Sequence, residues 1–319
     1  MSHSASVVVH EWRIPSATGV GELQAKTWAP AGQPRLILQI IHGMAEHMER
    51  YDHLARYLAK RGILTLSCDL PGHGRSAPDE KHLGYAAETD GYQKVLEDLH
   101  AIKNQVSERM PDVPVVLLGH SMGSFLARLY SSVYGKELAG VIYSGTAGDN
   151  PILPVARFLA ARSVRRNGAF HRDGFIDKLM HQGYLRKIPN PVSEFDWLSR
   201  DPDIVKAYED DAFCGFVFTA AGYRDLFDLL MAISGRQWAE KVPHNLPIRL
   251  ISGEDDPVGG YGSGVKQVLA ILKKAGHQDV QMILYPGGRH EILNETNRED
   301  VYADIANYLQ QWMTEGGQG

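Results

Sequence analysis

The chain has 319 residues, 44% of them hydrophobic, enough to bury a large core as one big domain or as one domain carrying an insertion. Its 33 basic and 38 acidic side chains leave a net charge of −5, so no bulk positive field points to nucleic acid. The two cysteines, Cys68 and Cys214, stand far apart in unlike contexts and give neither a disulfide framework nor a metal-ligand spacing. The N-terminus lacks a basic n-region and an apolar h-region, and no uncharged apolar run approaches the roughly 18 residues needed to cross a bilayer. The expectation is a soluble, cytoplasmic protein.

In chain order, the segments Val7–Val9 and Leu23–Trp28 flank the turn-rich stretch Pro15–Gly21, which predicts an antiparallel pair at a sheet edge. Leu36–Ile41 is too continuously apolar for a surface strand and predicts a central one. The loop His42–His47 follows, then a helix through Tyr51, Leu54, Tyr57 and Leu58 that stops at Arg61-Gly62. Ile63–Cys68 predicts a strand and Asp69–Ser76 a turn. Tyr92–Met110 predicts a helix, with apolar residues at Val95, Leu96, Leu99, Ile102 and Val106. Strands follow at Val115–Leu118 and Gly140–Ser144. Strand–helix pairs repeating every 25–30 residues or about that imply a parallel sheet with right-handed crossovers.

After Thr146 the rhythm breaks. From Gly148 to Ala220 no clear buried strand occurs, and prolines at 151, 154, 189, 191 and 202 punctuate helical fragments. Arg157, Arg162, Arg165, Arg166, Arg172, Lys178, Arg186 and Lys187 crowd this stretch. Residues 148–220 therefore read as a helical insertion dividing an α/β core into residues 1–147 and 221–319. The rhythm resumes with a helix at Tyr223–Ser234, a strand at Ile248–Ile251, a helix at Val265–Ala275, a strand at Val280–Tyr285 and a last helix at Arg298–Met313. The glycine-rich end, Gly316–Gly319, is expected to fray.

The sharpest motif is Gly119-His120-Ser121-Met122-Gly123, which fits G-x-S-x-G, a strand-to-helix turn that holds a serine hydroxyl clear of the backbone. Its glycines leave room where a Cβ would strike neighbouring backbone. An apolar strand precedes it and Phe125–Tyr130 follows with helical composition, which disfavours an ordinary serine in a loop. A nucleophilic serine needs a base, and the base an orienting carboxylate. Such groups gather beyond the carboxyl ends of parallel strands, where Asp256 follows one late strand and His290 another. The order Ser121, Asp256, His290 is that of the α/β-hydrolases. Of the acids in its loop, Asp256 is favoured over Glu254 and Asp255 because Pro257 fixes the turn beyond it. His120 reads as a packed or loop-bonding side chain, His73 as part of a Gly-His-Gly turn and His42 as shaping a loop; His244 and His277 read as surface or satisfied residues. The oxyanion donors are assigned to the backbone N–H groups of Met122 and Met44. His290-Glu291 lacks the second histidine of H-E-x-x-H, His42…Glu46-His47 misses a metal spacing, and Gly260–Gly264 lacks the lysine and third glycine of phosphate loops. A serine rather than an aspartate at the elbow argues against dehalogenase-type displacement. No metal or cofactor is expected.

These residues resemble the monoacylglycerol lipase and lysophospholipase family of α/β-hydrolases. The resemblance rests on His42–His47 with Arg50-Tyr51, on Asp69 with Gly72–Ser76, on Gly119–Gly123, on Gly253–Asp256 and on His290-Glu291, over residues 20–147 and 223–312. It implies the α/β-hydrolase fold, with a mostly parallel central sheet flanked by helices and a cap built from residues 148–220. Acyl esters would enter beneath that cap. The family commonly carries a second glycine after the elbow where this chain has Ser124. The implied activity is serine carboxylic-ester hydrolysis, through an acyl-enzyme, of a single-chain lipid ester of monoacylglycerol or lysophospholipid type. Amide cleavage of aminopeptidase type is the alternative. A non-catalytic hydrolase-fold binding protein would have a degraded triad, whereas Ser121, Asp256 and His290 are all present. The basic residues of the insertion read as a solvated face, or as a surface that meets anionic membranes transiently.

Overall fold

The structure, a computed structural model, describes residues 6–315. Residues 1–5 and the Gly316–Gly319 end, on which the leader and fraying expectations bear, lie outside the described residues. The strands are β1 (Val8–Pro15), β2 (Glu22–Ala29), β3 (Leu36–Ile41), β4 (Ile63–Cys68), β5 (Val115–His120), β6 (Gly140–Ser144), β7 (Ile248–Gly253) and β8 (Val280–Tyr285). They form one sheet in the order β1-β2-β4-β3-β5-β6-β7-β8. β1 and β2 pair antiparallel, as do β2 and β4; every pair from β4 to β8 is parallel.

The helices are α1 (Asp52–Ala59, entered through a 3₁₀ turn at Met48–Tyr51), α2 (Gly91–Ser107), α3 (Met122–Tyr134), α4 (Leu153–Asn167), α5 (Gly174–Met180), α6 (Pro202–Asp210), α7 (Ala220–Ala232), α8 (Gln237–Lys241), α9 (Ser263–Lys274) and α10 (Arg298–Glu315). Side chains alternate across the sheet with the period of two that a strand imposes. Leu36, Leu38 and Ile40 of β3 and Val116 and Leu118 of β5 join the core beneath α1 and α10. Ile37, Ile41, Val115 and Leu117 join the core on the other face, with α2, α3 and α9. All six residues of β3, β4 and β5 are buried, which is why these strands read as mostly apolar runs without the polar alternation of a half-exposed strand.

Several boundaries differ from the sequence expectation by a few residues, and two of the differences have a clear physical cause. β1 runs to Pro15 and pairs residue by residue with β2, from Val8↔Ala29 to Pro15↔Glu22. Its side chains are mostly exposed, so no apolar stripe marks it, and Pro15 is tolerated at the end of an edge strand. The helix expected from Tyr223 begins at Ala220, where the Thr219 hydroxyl accepts from Gly222 N at 3.1 Å and caps it.

Between β6 and α7 the chain forms α4, α5 and α6 joined by turns, with one isolated bridge, Arg172↔Thr219. α4 buries Leu153, Ala156, Ala160 and Ser163, a stripe of mostly small residues on the side packed against α7. The basic residues here divide. Arg157 pairs with Asp228 at 2.9 Å and Arg172 donates to Glu80 O at 2.9 Å, whereas Arg162, Arg165 and Arg166 are exposed.

Candidate active site

Ser121 is the single residue between β5 and α3, and its backbone is held at φ 53°, ψ −122°. That is a sparsely populated region for a residue with a side chain, and it persists only where surroundings enforce it. They do. Ser121 N donates to Ser144 O of β6 at 2.9 Å. A Cβ on Gly119 would lie 2.1 Å from Gly123 O, and one on Gly123 would lie 2.1 Å from Ile41 O of β3. Both elbow glycines are therefore required by backbone on their far side. Ser124 uses its hydroxyl locally, donating to Ser121 O at 2.6 Å.

The loops after β7 and β8 bring Asp256 and His290 together: His290 Nδ1 lies 2.9 Å from Asp256 Oδ1. Asp256 is fully buried and also accepts from Val258 N at 2.8 Å and from the Ser252 hydroxyl at 3.1 Å. Burial works to raise its pKa, but the His290 imidazole and these donors win and hold it below the ordinary carboxylate range. Burial conversely works to lower His290, and Asp256 overcomes that and raises it. With Nδ1 committed to the carboxylate, Nε2 is the nitrogen left to exchange a proton. Glu254 and Asp255 are exposed and take no part in this contact.

Ser121 and His290 line one cavity of ≈1520 Å³, together with Met44 and Met122. Most of its wall is apolar, from Phe125 of α3, Leu153 of α4, Met180 of α5, Trp197 and Leu226. Among the described residues neither Met44 N nor Met122 N is bonded to the protein, and Met122, first in α3, has no helical acceptor. Gly43 lies close behind: a Cβ there would sit 3.1 Å from Ser121 Cβ.

The loop after β3 is tied to the histidine loop by a buried ionic chain that the motif reading left without a role. Glu46 Oε1 accepts from Gly43 N at 2.5 Å and from the Tyr51 hydroxyl at 2.8 Å. Its Oε2 meets Arg50 Nη1 at 3.0 Å, and Arg50 grips Glu291 through both of its terminal nitrogens, Nη2 at 2.7 Å. Glu291 directly follows His290. Residues 196–200 add a second brace. His290 N donates to Trp197 O at 3.2 Å, the Trp197 ring lies 5.2 Å from that of His290, and buried Glu295 accepts from Arg289 N and Arg200 N at 3.0 Å each. The quoted motifs Arg50-Tyr51 and His290-Glu291 were the signal for the first brace; residues 196–200 offered none.

Four other histidines, His42, His73, His120 and His277, hold structural contacts. Leu70 N donates to His42 Nε2 at 2.9 Å, so Nδ1 carries the proton toward Gly43 O at 2.8 Å; burial takes His42 down to about 3. His73, against Phe216 and Phe218, is likewise lowered by burial to about 3. His120 contacts the Ser144 hydroxyl at 3.2 Å, and burial lowers it to about 4. His277 meets Ala239 O at 2.9 Å.

Known proteins share this arrangement of sequence and fold. A monoacylglycerol lipase of Mycolicibacterium smegmatis is 28% identical over 306 residues, covering 92% of this chain and 95% of that protein. The human monoglyceride lipase is 24% identical, covering 92% of this chain and 87% of its own. The solved structure of a highly thermostable carboxyl esterase from Bacillus coagulans in complex with glycerol superposes with a TM-score of 0.90 at 32% identity, covering 97% of this chain and all (100%) of that one. The hydrolase family described as serine aminopeptidase S33 matches residues 32–297, and the chain belongs to that family of α/β-hydrolases.

Proposed function

We propose that the protein is a serine carboxylic-ester hydrolase acting, through an acyl-enzyme, on single-chain lipid esters of monoacylglycerol or lysophospholipid type. The observation that carries this reading is the buried 2.9 Å His290–Asp256 contact, beside strained Ser121, in one large and mostly apolar cavity. Ser121 Oγ attacks the ester carbonyl while His290 Nε2 takes its proton. Asp256 holds the imidazole in the working tautomer and stabilises the imidazolium. The Met44 and Met122 N–H groups receive the oxyanion, the alcohol leaves with the proton from His290, and water repeats the sequence to release the acid. An acyl chain fits the apolar wall, to which residues 148–220 contribute as a cap over a core of residues 1–147 and 221–319. The reaction needs no metal or cofactor. Released fatty acid places the activity in lipid breakdown, and the free thiols of Cys68 and Cys214 suit the reducing cytoplasm.

Aminopeptidase-type amide cleavage would need free carboxylates to grip a substrate ammonium. Of the acids lining the cavity, Glu46 and Glu291 are held by Arg50 and Asp177 by the Tyr223 hydroxyl, leaving exposed Glu194 alone. Hydrolysis should be profiled across monoacylglycerols, lysophospholipids, short esters of graded chain length and a proline aminoacyl-amide. The highest kcat/KM is expected on a single-chain glycerol ester, and a preference for the amide would overturn the assignment.

A transient membrane contact rests on α4 and α5. Val155 and Phe158 are 56% and 59% exposed, Phe175 is 67% exposed, and Arg162, Arg165 and Arg166 share the α4 surface. Apolar tips beside basic residues suit an anionic lipid surface. No helix among the described residues is long and apolar enough to cross a membrane.

A further inference from the structure

We propose that His47 Nε2, Asp211 Oδ2 and Cys214 Sγ form a binding site for a thiophilic divalent cation of the zinc type, where the loop after β3 meets the turn after α6. These three atoms all lie within 4.8 Å of one another. No local spacing could reveal them, because His47 and Asp211 are 164 positions apart. An imidazole, a thiolate and a carboxylate are the zinc ligand types, and three protein ligands leave a fourth tetrahedral position for water. Magnesium and calcium, which take oxygen shells, are poor matches for this set.

The geometry is close to what coordination requires. Tetrahedral bonds of about 2.0–2.3 Å put ligand atoms roughly 3.3–3.8 Å apart, so closure asks about 1 Å of movement from the thiol and an opening of about 0.4 Å between His47 Nε2 and Asp211 Oδ2. His47 Nε2 and Asp211 Oδ2 already face each other at 2.9 Å. The other oxygen of Asp211 is occupied by Phe213 N at 2.8 Å, which orients Oδ2 toward the histidine as an outer-shell partner does. Cys214 N donates to Asp211 O at 2.9 Å, so the turn itself holds the thiol beside the carboxylate. The His47–Asp211 hydrogen bond accounts for two of the three groups without a metal; it gives the thiol nothing to do.

The surrounding charge suits a cation. Arg50 is the positive group near Cys214, but Glu46 and Glu291 flank it and Asp211 adds a third carboxylate. On binding, the thiol proton passes to solvent as the metal–sulfur bond forms, and His47 exchanges its Nε2 proton, now donated to Asp211, for one on Nδ1, so that the Nε2 lone pair faces the ion. The bound ion would also pin the insertion to the oxyanion loop, reinforcing the 3.0 Å bond from Gly215 N to Ala45 O and the 2.9 Å bond from the Tyr208 hydroxyl to the same oxygen.

Titration of the full-length protein with Co²⁺ should give a thiolate-to-cobalt charge-transfer band saturating at one equivalent, and Zn²⁺ should displace the cobalt. Cys68 is 2% exposed in the core, so the band would report on Cys214. C214S should abolish the band, and calorimetry should show Zn²⁺ affinity falling by at least about tenfold in C214S and in D211N. D211N, nearly isosteric, decides the matter if C214S folds poorly. The proposal fails if no thiolate band appears, if C214S and D211N bind Zn²⁺ as the wild type does through surface histidines, or if Mg²⁺ displaces the cobalt equally well.

Discussion

Replacing Arg50 with methionine tests the brace between the loop after β3 and the loop that carries His290. Methionine retains apolar bulk beside the Tyr208 ring, over which the guanidinium sits at 4.8 Å, but removes the charge shared by Glu46 and Glu291. Each of these carboxylates is 3% exposed. Removing one partner of a buried ion pair costs about 3–5 kcal/mol, because the orphaned charge stays buried. Set against a whole-domain stability of about 5–15 kcal/mol, R50M should fold but with much of its margin gone. The pH dependence carries a sign. In the wild type, burial works to raise Glu291, yet Arg50 overcomes it and holds the group below its usual 4.5. That stability is present above pH 4.5 and is lost as pH falls through the lower folded value. In R50M burial loses its chief opponent, so the deficit should be largest at neutral pH and shrink under mildly acid conditions as Glu291 takes up its proton. Urea unfolding at both pH values measures this, and ester hydrolysis measures the consequence for the site. A shift of about 1 Å in the Gly43–Met44 backbone would lower kcat/KM by about 100-fold. Stability within about 1 kcal/mol of wild type at neutral pH, with unchanged kcat/KM, would refute the brace.

Three further outcomes follow from the geometry. D256N should lower kcat by about 10⁴-fold by presenting the wrong tautomer, and the acid limb of the wild-type kcat/KM profile should lie above the ordinary histidine value of 6.5, moving down in the variant. G123A puts a methyl 2.1 Å from Ile41 O, a clash with backbone that no rotamer relieves, so a loss of about 3 kcal/mol or failure to fold is expected; wild-type thermal stability would count against the elbow packing. Reversing Arg162, Arg165 and Arg166 to glutamate should weaken binding to phosphatidylserine vesicles by at least about 1 kcal/mol per residue, and vesicle binding indifferent to salt and to these changes would dispose of the membrane contact.

Much of the fold was legible because its signals are local. Mostly apolar runs such as Leu36–Ile41 and Val115–Leu118 announce strands buried on both faces, and the glycines at 119 and 123 announce a turn that only glycine permits. β1 was half missed because its exposed side chains carry no alternation. α8, five residues long, has too few turns to show a period. Strand order and residue type suggested that Ser121, Asp256 and His290 belong together; in the structure Asp256 meets His290, and Ser121 and His290 open onto one cavity. What the sequence could not show is pairing at a distance. Arg50 and Glu291 are 241 positions apart, and Arg200 and Glu295 are 95 apart, so nothing local says which charge each one meets.

The proposed hydrolysis requires Ser121 to be a nucleophile that carries the acyl group. Intact-mass analysis after treatment with a fluorophosphonate probe tests this most directly, with monoacylglycerol hydrolysis followed on the same samples. One adduct is expected, on Ser121, with activity lost in step with labelling, and neither adduct nor activity in S121A. An unlabelled Ser121, or an S121A protein that still turns over monoacylglycerol at the wild-type rate, would contradict it.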